Sequence, residues 1–146
     1  MFSHITVGCS DIQRSTAFYD AVLLPLGLKN RPVLPDGGPP SSCWVSPTSP
    51  LPRFYLYLPY DGKPASAGNG CMVAFEASSK DAINVAYMAG MNAGGTDEGP
   101  PGPRDRYGVG YYGAYLRDPD GNKIHIVYRG DINHPREKAN SGIALD

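Results

Sequence analysis

Shifted by 68 residues, this sequence falls on itself. His4-Ile5-Thr6-Val7 lands on Met72-Val73-Ala74-Phe75, and Ser10-Asp11 on Ser78-Ser79. Ala17-Phe18-Tyr19 lands on Val85-Ala86-Tyr87, and Gly27 on Gly95. Leu56-Tyr57-Leu58 then meets Ile124-His125-Ile126, and Gly62 meets Gly130. A shared register from residue 4 to residue 62 implies two copies of one supersecondary unit. Two copies are too few for a solenoid, so a pseudo-symmetric domain is expected. A length of 146 residues suits that domain and is enough to bury a core.

Each copy reads as β-α-β-β-β. Residues 2–8 alternate and carry β-branched side chains, so they form a strand. Ser10 or Asp11 caps a helix to about Leu24, which buries Ile12, Phe18 and Val22 and stops at Pro25 and Gly27. Residues 30–42 read as a loop with a short strand entering it, and 43–45 and 54–58 as strands. In the second copy, 71–77 is a strand, and Ser78 or Ser79 caps a helix to about Met91, stopped by Gly94-Gly95. Residues 97–110, rich in Gly and Pro, read as a long loop of the kind that closes or binds. Residues 111–117 and 123–128 are strands joined by a tight turn at Asp118-Pro119-Asp120-Gly121-Asn122. The expected fold is α+β, with module one at about 2–60, a linker at 59–70 and module two at about 71–130. These make one domain over 1–130, followed by a polar tail at 131–146, read as loosely held or as an arm on a partner subunit.

Strand parity then selects a functional face. Ile5, Val7, Phe54, Leu56, Leu58, Val73, Phe75, Ile124 and Ile126 must cover the helices. The opposite face is left with His4, Thr6, Tyr55, Tyr57, Met72, Glu76, Lys123 and His125. It is polar and aromatic and holds two of the chain's three histidines. Such a face is either an ordinary wet side of an antiparallel sheet or, if the sheet curls, the wall of a pocket. Tyr111 and Tyr115 alternate onto one face and either pack or reach that pocket. Trp44 falls on Tyr112, and each is either core or a stacking wall. Arg104 and Arg106 are either a clamp for an anionic ligand or solvated loop residues.

The formal charge of −1 gives no electrostatic case for nucleic acid or an anionic membrane. No apolar run is long enough to span a bilayer, and no signal peptide is visible. Cys9, Cys43 and Cys71 form no CxxC pair and read as reduced thiols, so a cytoplasmic setting is expected.

Two segments carry a family resemblance. They are Ser3-His4-Ile5-Thr6-Val7-Gly8-Cys9-Ser10-Asp11-Ile12-Gln13-Arg14-Ser15 with Ala17-Phe18-Tyr19, and Arg117-Asp118-Pro119-Asp120-Gly121-Asn122-Lys123-Ile124. With Gly68-Asn69-Gly70 before Val73-Ala74-Phe75, the chain resembles the vicinal oxygen chelate superfamily. This is the group of glyoxalase I, bleomycin-resistance proteins, fosfomycin-resistance proteins and extradiol dioxygenases. The resemblance implies paired βαβββ modules curled into an incomplete antiparallel barrel around a divalent metal. It implies metal ligands on the first and last strands of each module. His4 fits the first ligand. Met72 stands where His is usual, His125 where Glu is usual, and Tyr57 occupies the fourth position.

A thioether is soft for Zn²⁺ or Mn²⁺, and a neutral phenol is a weak ligand. The expected metal site is therefore His4 with His125, holding Zn, Mn, Ni or Fe weakly or not at all. The alternative is two ordinary cavity histidines bonded to Tyr57 or Glu76. Glu76 is the candidate general base, or else a solvated or Lys123-paired carboxylate. Thr6, Tyr55, Tyr57, Met72, Tyr111 and Lys123 are the candidate substrate-binding residues. Two functions stay open: a metal-dependent lyase, isomerase or dioxygenase of the glyoxalase type, and a metal-free protein that sequesters a small molecule. The expected partners are that small molecule and a second copy of the chain, with no nucleic acid and no membrane.

Overall fold

The computed structural model describes residues 1–133. Both modules are present. Module one runs β1 (His4–Gly8), α1 (Ile12–Leu23), β2 (Lys29–Arg31), β3 (Ser41–Val45), β4 (Arg53–Tyr57). Module two runs β5 (Val73–Glu76), α2 (Lys80–Asn92), β6 (Thr96–Pro103), β7 (Tyr111–Arg117), β8 (Lys123–Arg129), followed by a short α3 (Gly130–Asn133). Each module is one four-stranded sheet, ordered β1-β4-β3-β2 and β5-β8-β7-β6. The sheets are mixed and not closed into a barrel: β1 runs parallel to β4 and β5 parallel to β8, and the other pairs are antiparallel.

The helices form where capping and periodicity agree. Asp11 accepts from the Arg14 amide at the start of α1, and Ser79 Oγ accepts from the Ala82 amide at the start of α2. In α1 the buried residues are Ser15, Phe18, Tyr19, Val22 and Leu23, a stripe at helical spacing. The helices of the two modules meet at Gly90, where an added Cβ would lie 2.7 Å from Val22 Cγ2. These two positions are equivalent under the repeat, so the helix contact sits on the pseudo-symmetry axis. The helix-facing sides of both sheets then share one core, with Trp44, Phe54, Leu56, Phe75, Leu116, Ile124 and Ile126 around α1 and α2.

Strand register refines the repeat. Ile5 pairs with Phe54 and Val73 with Ile124, so β4 and β8 are offset by 70, not 68. Phe54 pairs with Trp44 and Ile124 with Leu116, so β3 and β7 are offset by 72. His125 is thus the counterpart of Tyr55, not Tyr57, and Trp44 that of Leu116, not Tyr112. Both slips are even, so every residue keeps its face.

Residues 97–110 are not one long loop. Their first part is β6, an irregular edge strand with shifts between Asp97 and Gly99 and between Gly99 and Gly102. An edge has only one side to pair, so it tolerates the prolines that would break a central strand. A 3-10 turn at Asp105–Tyr107 completes the connection to β7. Of the tail, residues 131–133 fall in α3 (Gly130–Asn133), and residues 134–146 lie outside the described residues.

Candidate functional site

The open face of the first sheet carries a cavity of about 630 Å³. Its walls are His4 and Thr6 from β1, Tyr55 and Tyr57 from β4, and Pro39, Pro59 and Tyr60 from the flanking loops. β1 and β4 lie side by side with Thr6 opposite Tyr55, which aligns their outward side chains in one row. The two tyrosine rings stand 5.8 Å apart, and His4 meets Tyr55 edge-on at 5.6 Å. His4 Nδ1 shares a hydrogen bond of 3.1 Å with Ser3 Oγ, leaving Nε2 open. A cavity this size, lined by aromatic and aliphatic side chains with few polar groups, suits a small organic ligand.

The open face of the second sheet holds a different cluster. His125 is 2% exposed. Its Nδ1 lies 2.9 Å from the Ala114 carbonyl, which can only accept, so Nδ1 carries the proton. Nε2 therefore accepts from the Tyr111 hydroxyl at 2.8 Å. Tyr115 stacks on the imidazole at 4.1 Å between centroids and 11° between planes. Gly113 makes room for this: a Cβ there would lie 2.6 Å from His125 Cε1. Burial, and then the charges of Arg104 and Lys123, push the imidazole below its ordinary pKa, against a raising effect of the Ala114 hydrogen bond. Four cations surround the tyrosines. Arg104 and Lys123 lie over Tyr115, Arg129 over Tyr111 and Arg106 over Tyr107.

The structure thus brings His4, Thr6, Tyr55 and Tyr57 together, and separately His125, Tyr111 and Lys123. Met72 stands just before β5, exposed, where it lines a polar cavity with Lys123. Glu76 ends β5 and lines a third cavity, with Phe54, Phe75 and Arg53. Among the described residues no hydrogen bond or ring contact links the first face to the second. Nor do three His, Cys, Asp or Glu side chains converge there as a metal would need. His4 stands on one sheet, and both nitrogens of His125 are already engaged on the other. Within one chain these donors do not fit a divalent metal, and no chemical step is assigned to one.

Sequence reasoning did not single out Pro39 or Tyr60, because loop residues carry no parity signal. Trp44 is fully buried core and donates from Nε1 to Asp20 at 2.8 Å. Tyr112 is half-buried against the same core.

The comparisons with known proteins agree with this architecture. Residues 1–126 match the family model described as the glyoxalase/bleomycin resistance protein/dioxygenase superfamily. The chain belongs to this superfamily. A glyoxalase/bleomycin resistance protein from Albidiferax ferrireducens T118 is 41% identical, over 88% of this chain and 98% of its own, with a TM-score of 0.74. Two more distant structures share the superfamily fold. A glyoxalase-related enzyme from Fulvimarina pelagi is 18% identical, covering 88% of this chain and 87% of its own, with a TM-score of 0.64. A family enzyme from Burkholderia phytofirmans PsJN is 18% identical, covering 86% and 96%, with a TM-score of 0.63. No curated protein matches the chain significantly. Superfamily members build both enzymes and binding proteins on these paired modules, so fold alone does not choose between them. No helix among the described residues is long and apolar enough to cross a membrane.

Proposed function

We propose that this superfamily member binds a small aromatic molecule in the first-sheet cavity without a metal. The observation that carries this reading is the cavity of about 630 Å³ walled by Tyr55, Tyr57 and Tyr60. The paired rings of Tyr55 and Tyr57 offer large apolar contact at little entropic cost, and His4 and Thr6 supply the polar groups that orient a ligand. The second module supports the reading from the other side, since His125 spends its donor on a carbonyl and its lone pair on Tyr111. The activity assigned is sequestration within a domain spanning 1–130, in a reducing, cytoplasmic setting where Cys9, Cys43 and Cys71 stay as thiols.

A second reading has one specific observation in its favour. β1 and β5 are end strands with a hydrogen-bonded partner on one side only, and an end strand can pair with another chain. Pairing there in a homodimer would set the first face of one copy beside the second face of the other. His4, His125 and Glu76 would then be the donors for Zn, Mn, Ni or Fe, with Glu76 as general base and Met72 and Lys123 lining the substrate.

Fluorescence or calorimetric titration with a neutral aromatic probe, 1-naphthol, separates the two. The first reading expects saturable binding by chelator-treated protein and at least a tenfold loss in Tyr57→Ala. Absence of binding until a metal is restored would replace it with the second.

A further inference from the structure

We propose that Arg104 and Lys123, both over the Tyr115 ring, form a recognition site for an oxyanion, the carboxylate or phosphate of a small ligand. The proposal rests on the second sheet alone and does not depend on the first-sheet cavity.

The two cations converge on one ring. The Arg104 guanidinium carbon lies 5.8 Å, and Lys123 Nζ 5.3 Å, from the Tyr115 centroid. Two other cations of this face are already neutralised, Arg129 by Asp131 and Arg117 by Glu98. Arg104 and Lys123 have no carboxylate partner among the described residues. Like charges gathered at one spot repel, and a bound anion relieves that repulsion.

The site is also held in shape before any ligand arrives. Arg104 Nη1 and Nη2 donate to the carbonyls of Pro103 and Pro100 at 3.2 and 2.9 Å, which fixes a side chain that would otherwise swing. The irregular backbone of β6 is what lets it fold back so closely. A Cβ on Gly102 would stand 3.2 Å from Arg104 Nη1, and one on Gly99 would stand 3.1 Å from Tyr115 and 3.4 Å from Arg104. Tyr115 is braced from behind by the His125 stack. Room for the rest of a ligand lies next to Lys123. A cavity of about 390 Å³ is lined there by Gly68, Asn69, Gly70, Met72, Arg117 and Lys123. Fixed donors of this kind suit a charge-assisted contact to an oxyanion.

The test is calorimetric titration of the intact chain with benzoate, phenyl phosphate and neutral benzyl alcohol. The expected result is that at least one anion binds at least tenfold more tightly than the alcohol, and that added salt weakens it. Benzoate against phenyl phosphate tells which oxyanion fits. Arg104→Gln and Lys123→Gln should each weaken that anion about tenfold with unchanged melting temperature, and Arg104→Lys should recover part of the loss. Lys80→Gln removes a cation over Tyr112, on the other side of the sheet, and should have no effect. Equal binding of anion and alcohol, no binding of any probe, or an equal loss in Lys80→Gln would overturn the proposal. A failure of 1-naphthol to bind would leave these outcomes intact and bear only on the first-sheet cavity.

Discussion

His125 shows how much one buried side chain can settle. With Nδ1 protonated toward Ala114 and Nε2 accepting from Tyr111, both nitrogens are satisfied in the neutral form. Burial and two nearby cations hold its pKa below the ordinary 6.5. The sign of the consequence follows from proton uptake. As pH falls from 6.5 toward the lower folded value, the unfolded chain takes up a proton that the folded chain refuses. Stability should therefore decline on acidification through that window, and His125→Gln should flatten this part of the curve, whatever it does to the level. Urea melts at a series of pH values measure both; an identical acid slope in the variant would show that another group is responsible. A second residue-scale test concerns Asp118, buried and held by Tyr19 Oη at 2.6 Å, by the Asp120 and Asn122 amides and by Asn122 Nδ2. Tyr19→Phe should cost about 1–3 kcal/mol by leaving a buried acceptor short of a donor. The face of His125 was legible from parity. Its hydrogen bonds were not, because they depend on rotamers and on a glycine at 113 that no periodicity reveals.

At the scale of elements, pattern and chemistry were readable where they coincide. Both helices, β7 and the Asp118–Asn122 turn follow from local signals, and each helix cap was narrowed to two adjacent residues, of which the structure uses Asp11 and Ser79. The spacing of the repeat was readable only in part. The turn linking β3 to β4 and the turn linking β7 to β8 differ in length, and β6 is longer than β2, so the last strands slip from 68 to 70 and 72. Because the slips are even, the face assignment survived an error in the pairing of equivalents. β6 was hidden for another reason: its Gly and Pro content argues against a strand, and only its edge position makes one tolerable. The helix crossing gives a direct test. In an isolated helix Gly90→Ala would gain about 1 kcal/mol. Here the new methyl meets a stiff, branched Val22, so the net effect should be destabilising, with a steric cost of about 1–3 kcal/mol. Adding Val22→Ala should remove that cost, so a double-mutant cycle by thermal or urea melts should show clear coupling. Additive losses would mean the helices do not meet at this pair.

For the whole molecule, the two modules turn their helices toward one shared core and leave two open faces with different chemistry. One face is an aromatic cavity with a single histidine. The other is a cation-rimmed tyrosine and histidine stack. The repeats have therefore diverged into two faces of different chemistry, not two copies of one. Superfamily membership and the modular fold could be read from the chain because the repeat and the end motifs are local. That no hydrogen bond or ring contact joins His4 to His125 could not, since it depends on how the modules pack. β1 and β5 are the end strands of their sheets, so the homodimer reading expects association at these edges. The most direct test of the central claim is titration of chelator-treated protein with 1-naphthol, repeated after adding Zn²⁺, Mn²⁺, Ni²⁺ or Fe²⁺. Metal-free binding is expected to saturate, with an affinity that no metal changes and that His125→Ala leaves intact. Binding that appears only with metal, and disappears in both His4→Ala and His125→Ala, would contradict it.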